Sequence, residues 1–302
     1  MKIETLRVKD LFRYYLNQHA KANNLKRLDV AKSNIKNLRE FFNHKTVMAL
    51  TRQDIRDYRD YRWSAGVGNG TVAREISILS KCLHIAVDEF DIDEDFVLDL
   101  KVNHFRPKCK PRTIYPNVEE IPLLLKNLPV HLRRVYFAAW RIGYRLKSEI
   151  LNLKFKNLDL ERGVITIDES KNGHGRITPL DPEMVVFFKN MKREAQRIFG
   201  DNVLYQYVFR TPDNKKIQPH AVYRSFRTAQ KKCGMVDNKG KWLYRPHDFR
   251  RAAGKWLLHV KKKPEKIVTQ FYTGHRTVDI FRKHYDIADQ TDLQYALELA
   301  RS

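Results

Sequence analysis

Apolar positions in the first hundred residues recur three and four apart, which is the spacing of one helix face. The pattern predicts a helix from Leu6 to about Ala22 and a second from Val30 to Phe42, with Val30, Ile35, Leu38, Phe41 and Phe42 inward. A third opens at Thr51, where Asp54 three residues on suggests a reciprocal cap, and runs through DIRDYRDYRW to a stop near Gly66. After the turn GVGNG, a fourth spans Thr71 to Phe90 with Val72, Ile76, Leu79, Leu83 and Val87 on its inner side. No two-residue alternation occurs here, so residues 1–100 read as a four-helix domain.

The pattern then changes. KVNHFRPKCKPRTIYP, residues 101–116, holds three prolines and no acid, and reads as an extended basic linker. From 117 to 302 the signal is mixed. Helices are predicted at Val118–Leu128, Leu132–Gly143, Lys147–Phe155, Asp181–Phe199, His220–Cys233, after Pro246, at Pro264–Tyr272 and at Asp292–Ala300. Between them, GVITI and RITPL flank ESKNGHG and read as a β-hairpin. The fold class is mainly α with a small β-sheet, the second domain being α+β.

Charge narrows what such a fold is for. Lys and Arg total 58 against 35 Asp and Glu, a net +23 spread along the chain. A body this basic attracts polyanions, nucleic acid first; a ribosome-associated protein or an anionic membrane surface shares the same charge logic. Arg52, Arg56 and Arg59 form one stripe on the third helix, which suits either a solvated face or phosphate contacts with DNA. Cys82, Cys109 and Cys233 are far apart, suggesting neither a zinc cluster nor a disulfide framework, and a reducing, cytoplasmic setting is expected. No apolar run is long enough to span a bilayer.

Breaking a DNA phosphodiester with a side-chain hydroxyl makes specific demands. Negative charge grows on the non-bridging oxygens, which guanidinium forks match with paired hydrogen bonds. A tyrosine needs a base or a cationic setting to lose its proton, and the leaving oxygen needs an acid. Candidates occur in order: Arg145 in GYRLKSEILNLKF, Lys171 in ESKNGHGRITPL, His247 and Arg250 in PHDFRRAAGKWLL, then His275 and Tyr285 in GHRTVDIFRKHYD. Singly, each has a plainer reading. Arg145 would be a surface residue at a helix end, Lys171 and His174 a solvated hairpin tip, His247 a helix opener and His275 a buried, satisfied ring. Tyr285 has rivals in Tyr272, which reads as core with Trp256 and Leu257, and in Tyr295 of the last helix. Glu149 reads as a structural partner that orients Arg145.

Taken as an ordered set, these motifs resemble the tyrosine recombinase, or phage integrase, family. The segment LTRQDIRDYRDYRWSAGVGNGTVAREISILSKCLHIAVDEF resembles that family's helical, SAM-like core-binding domain. The resemblance implies a catalytic domain in which Arg145 and Arg250 clamp the scissile phosphate and His275 hydrogen-bonds it. Lys171 would protonate the leaving 5′ oxygen, His247 would help accept the tyrosine's proton, and Tyr285 would attack phosphorus to form a 3′-phosphotyrosyl link. It further implies site-specific integration or excision of a mobile element without cofactor, metal or ATP, by a homo-tetramer on two double-stranded DNA sites, with host or element accessory proteins. The final helix would dock on its own domain or on a neighbouring protomer. Alternatives are DNA relaxation of the type IB topoisomerase kind, or a catalytically idle DNA-binding regulator. Thr273, where leucine is more usual, and Arg251, where histidine is common, depart from the family pattern.

Overall fold

A computed structural model describes residues 5–25, 27–109, 112–168, 175–275 and 277–285, without the side chains of Ile280 and of 283–285. It divides into two compact units, Met1–Lys110 and Pro111–Ser302.

The first unit contains the four expected helices. Helix α1, Val8–Tyr14, continues through a π-helical turn at Tyr15–His19; α2 is Leu28–Phe42, α3 Arg52–Ser64 and α4 Asn69–Phe90. The cap at Thr51 is reciprocal: Asp54 N–H donates to Thr51 Oγ1 at 3.2 Å and Thr51 N–H to Asp54 Oδ2 at 2.9 Å. Leu11, Phe12, Ile35, Leu38, Phe42, Ile55, Tyr58, Ile76, Leu79 and Leu83 fill the core. Inside it, the buried Glu75 carboxylate accepts from Asn37 Nδ2 at 2.8 Å, Tyr58 Oη at 2.9 Å and Arg62 Nη2 at 2.9 Å, tying α2, α3 and α4 together.

Two elements after α4 escaped the sequence reading. Helix α5 spans Glu94–Asp99, and a 3-10 turn at Val102–Phe105 buries Val102 and Phe105 in the first core. At its far end Tyr115 packs on the second core. Within the extended stretch expected over 101–116, Val102 and Phe105 are therefore buried and Tyr115 partly so, while Ile114 is exposed.

In the second unit α6 is Glu120–Lys126 and α7 is Val130–Ile142. Strands β1 Leu158–Asp159, β2 Val164–Ile167 and β3 Arg176–Pro179 form an antiparallel sheet in that order, with Val164 opposite Pro179 and Ile167 opposite Arg176. Helices α8 Pro182–Phe199, α9 Pro219–Lys232 and α10 Asp248–Lys255 follow, the last continuing as a π-helical turn at Trp256–Val260. A helical stretch at Glu265–Ile267 and Val268–Thr273 precedes α11, Val278–Tyr285. Helix α7 runs through the core, where Tyr136 stacks on Phe226 at 4.9 Å and meets Phe249 edge-on at 5.0 Å. Trp256, Leu257, Val268, Tyr272 and Phe281 form a smaller cluster.

The helix expected at Lys147–Phe155 is absent; its place is taken by 3-10 turns at Ile150–Asn152 and Phe155–Asn157. The backbone bonds go elsewhere: Val208 N–H donates to Leu153 O at 2.8 Å and Phe155 N–H to Gln206 O at 3.1 Å. Leu151, Leu153 and Phe155 are buried while Asn152 between them is exposed, which is the two-residue period of an extended run rather than a helix face. The helix expected at Asp292–Ala300 lies outside the described residues. No helix among the described residues is long and apolar enough to cross a membrane.

Candidate active site

The site begins where α7 stops. Gly143 caps the helix at φ +67°, a left-handed conformation that glycine adopts without strain. A Cβ there would make only ordinary contacts, 3.5 Å from Thr273 Cγ2 and 3.7 Å from Ala253 Cβ, so the backbone angle is what calls for glycine. The chain turns back over α10, burying Tyr144, whose Oη bonds Thr178 Oγ1 at 2.6 Å.

Arg145 and Glu149 close this turn on each other. Glu149 Oε2 accepts Arg145 N–H at 2.6 Å and Oε1 accepts Arg145 Nη1 at 2.9 Å. Arg176, on β3, adds a two-pronged pair: Nη1 to Oε1 at 3.1 Å and Nη2 to Oε2 at 2.9 Å. Arg250, on α10, brings Nη1 to 3.7 Å from Oε2 while donating to Gly143 O at 2.9 Å and, through Nη2, to Thr273 O. One buried carboxylate thus gathers three guanidiniums from three parts of the chain. Desolvation would raise the Glu149 pKa; the Arg176 hydrogen bonds and charge, then Arg250, overrule it and hold the carboxyl below its usual range. Among the described residues these three guanidiniums share one carboxylate; Arg250 is buried, while the Arg145 side chain keeps 18% exposure.

His247 precedes the first turn of α10, and its carbonyl accepts Arg250 N–H at 3.1 Å. His247 as a residue is exposed, beside the buried Asp248, Phe249 and Arg250. Desolvation, and then the charges of Arg250, Arg251 and Arg145, push its pKa down to about 4 against a weak opposing pull from Glu149. The helix start is fixed independently: buried Asp248 accepts Arg112 Nε at 3.0 Å and Arg245 N–H at 2.8 Å. His275 follows Gly274, which has φ +58°; its N–H donates to Thr269 O at 3.0 Å and its Nδ1 lies 2.7 Å from Thr273 Oγ1.

The structure therefore brings Arg145 and Arg250 together at Glu149 and Arg250 and His275 together at Thr273, with His247 joined to Arg250 through its carbonyl. Lys171 lies outside the described residues. Tyr285 ends α11, and its side chain is likewise outside what is described. The sequence reading paired Glu149 with Arg145 alone and gave no role to Arg176, Thr273 or Arg112. Arg176 had a signal in its R-x-x-P-L context; Thr273 showed only as a departure. On α3, Arg52 pairs with Asp99 at 3.3 Å, Arg56 donates to Gln53 at 2.7 Å and lies over Phe105, and Arg59 pairs with Asp60 at 2.8 Å and stacks over Trp63.

A family model described as the phage integrase family matches residues 114–291, and one described as the phage integrase SAM-like domain matches 7–105. The chain belongs to the phage integrase family. Among curated relatives of this integrase, tyrosine recombinase XerA of Pyrococcus furiosus is 27% identical over 156 residues, 50% of each chain. The type 1 fimbriae regulatory protein FimE of Escherichia coli is 28% identical over 140 residues, 46% of this chain and 66% of that one. The chain spans about half the length of the first of these relatives. Among solved structures, a lambda integrase dimer bound to a COC′ core site matches 97% of this chain and 78% of that one, with TM-score 0.71 and 16% identity. The Tn1549 transposon integrase in complex with a circular intermediate DNA matches 97% and 99%, with TM-score 0.71 and 14% identity. At such identities the structural likeness is one of fold.

Proposed function

We propose that this integrase cuts and rejoins double-stranded DNA at specific sites through a 3′-phosphotyrosyl intermediate on Tyr285. The observation that carries the reading is the cationic cluster in which, among the described residues, three guanidiniums meet at the carboxylate of Glu149, with His247 and His275 beside them. Preorganised positive charge of this kind favours a pentacoordinate phosphorus over its ground state, because the negative charge grows as the transition state forms.

In this reading Tyr285 oxygen attacks phosphorus, the P–O5′ bond breaks and the tyrosine's proton passes towards His247. Lys171 supplies the proton that the leaving 5′ oxygen takes up. Arg145 and Arg250 hold the non-bridging oxygens, with His275 donating to the phosphate. A His247 pKa of about 4 leaves the ring neutral at pH 7 and able to accept a proton. An arriving phosphate offsets the guanidinium charges and strengthens it as a base. The attack of a free 5′ hydroxyl on the phosphotyrosine reverses each transfer.

We place DNA binding by the SAM-like unit, with Arg52, Arg56 and Arg59 as candidate contacts, within the same scheme. The reaction joins two DNA sites, which calls for four copies of the chain. A solved lambda integrase tetramer is bound to a Holliday junction, which supports that assembly here. Lambda and Tn1549 among the structural neighbours favour a mobile element as the substrate, handled in the cytoplasm with or without accessory proteins.

The test is a nicked suicide substrate bearing the attachment site. The wild-type chain is expected to yield a covalent protein–DNA adduct, and Tyr285→Phe none. An adduct that persists in Tyr285→Phe removes Tyr285 as the nucleophile; supercoil relaxation without recombinants would mark the relaxing type of enzyme instead.

A further inference from the structure

Thr273 ends the helical stretch Val268–Thr273 and is wholly buried. Its carbonyl accepts Arg250 Nη2, and its hydroxyl oxygen lies 2.7 Å from His275 Nδ1. The same oxygen is 3.2 Å from the carbonyls of Val268 and Thr269. One residue thus touches two members of the site, Arg250 through its backbone and His275 through its side chain.

A hydroxyl has one proton to give, so the 2.7 Å contact can be made in two ways: the hydroxyl donates to a bare Nδ1, or Nδ1–H donates to the hydroxyl while its own proton goes to a carbonyl at 3.2 Å. Only the first arrangement leaves the ring proton on Nε2, where it can be donated to a phosphate. If the ring becomes an imidazolium, Nδ1–H can donate back, and the hydroxyl proton then has the two carbonyls at 3.2 Å to turn to. The partner therefore survives either protonation state of His275. A leucine, the residue the family resemblance favours here, keeps the backbone carbonyl for Arg250 and has no hydroxyl for His275.

We propose that Thr273 is a positioning residue that fixes the orientation and tautomer of His275, presenting Nε2–H as a donor. This rests on the reading of His275 as a ligand of the scissile phosphate.

The experiment uses the full chain with 15N-labelled histidine, comparing wild type, Thr273→Val, Thr273→Ser and His275→Gln. Imidazole 15N shifts report the tautomer, and single-turnover cleavage of the suicide substrate reports the rate. Wild type is expected to show His275 as the Nε2–H form. Thr273→Val, which keeps the shape and loses the hydroxyl, should show a mixed tautomer and cleave roughly tenfold slower, the effect of one neutral hydrogen bond. Thr273→Ser should restore both. A wild-type ring carrying its neutral proton on Nδ1, or a Thr273→Val ring unchanged in tautomer, overturns the inference. Should Thr273→Val fail to fold, the wild-type tautomer and the serine variant still decide. His275→Gln cleaving at the wild-type rate would instead sink the role of His275 itself, leaving the tautomer result to judge Thr273 separately.

Discussion

At the residue scale, Glu149 is the pivot. It holds Arg145 by two bonds and Arg176 by two more, with Arg250 at 3.7 Å; Glu149 and Arg250 are buried and Arg145 only partly so. Removing one partner of a buried ionic cluster leaves the others desolvated and unneutralised. Glu149→Gln should therefore lower unfolding free energy by about 3–5 kcal/mol in urea denaturation; a loss below about 1 kcal/mol would show that water already screens the cluster. His247 carries the pH signature. Its folded pKa is about 4, against about 6.5 for a free histidine. As pH falls from 6.5 towards 4, the unfolded chain binds a proton that the folded chain refuses, so stability drops across that window. His247→Asn should remove this part of the slope, measured as unfolding midpoints at stepped pH. Equal slopes in both proteins would mean that other groups account for the acid sensitivity.

At the element scale, turns decide more than helices do. Gly274 lets the chain leave Val268–Thr273 at φ +58° and present His275; a Cβ there would stand 2.9 Å from Arg176 Nη1 and 3.2 Å from its Cζ. Arg176 is held by Glu149, so it cannot swing aside cheaply. Gly240 has φ +70° and nothing within 4 Å of the same position. Gly240→Ala should cost only the left-handed backbone strain, about 1–2 kcal/mol. Gly274→Ala should cost clearly more and impair cleavage as well. Equal thermal shifts for the two variants would show that the Arg176 contact relaxes. The elements also show where reading from sequence works. Helices α2 and α4 were legible because each has one apolar face, and α3 because its cap is local. The run at 147–155 was misread because its buried residues Leu151, Leu153 and Phe155 alternate with Asn152 and Lys154, and its backbone bonds at Leu153 and Phe155 are made to residues 206–208, a pairing that no local helix signal shows.

On the scale of the whole molecule, the net charge of +23 should dominate binding. Each phosphate neutralised by a Lys or Arg releases counterions, so affinity for DNA should fall steeply with salt. A drop of about a thousandfold or more between 50 and 200 mM salt is expected for six or more phosphate contacts, measured by fluorescence anisotropy. A flat response would argue that the charge serves something other than a nucleic-acid backbone.

What the sequence determined by itself was the order of the candidate site residues, the helical first unit and the paired strands of the second. Those properties are local: a period, a cap, a proline, a motif a few residues long. The tertiary structure decided which of them meet. Arg145, Arg176 and Arg250 are far apart in the chain, and only the reversal at Gly143 and the packing of β3 and α10 bring them to Glu149. The contact of Thr273 with His275 was equally invisible, since a buried threonine two residues before a histidine carries no pattern until the backbone turns between them.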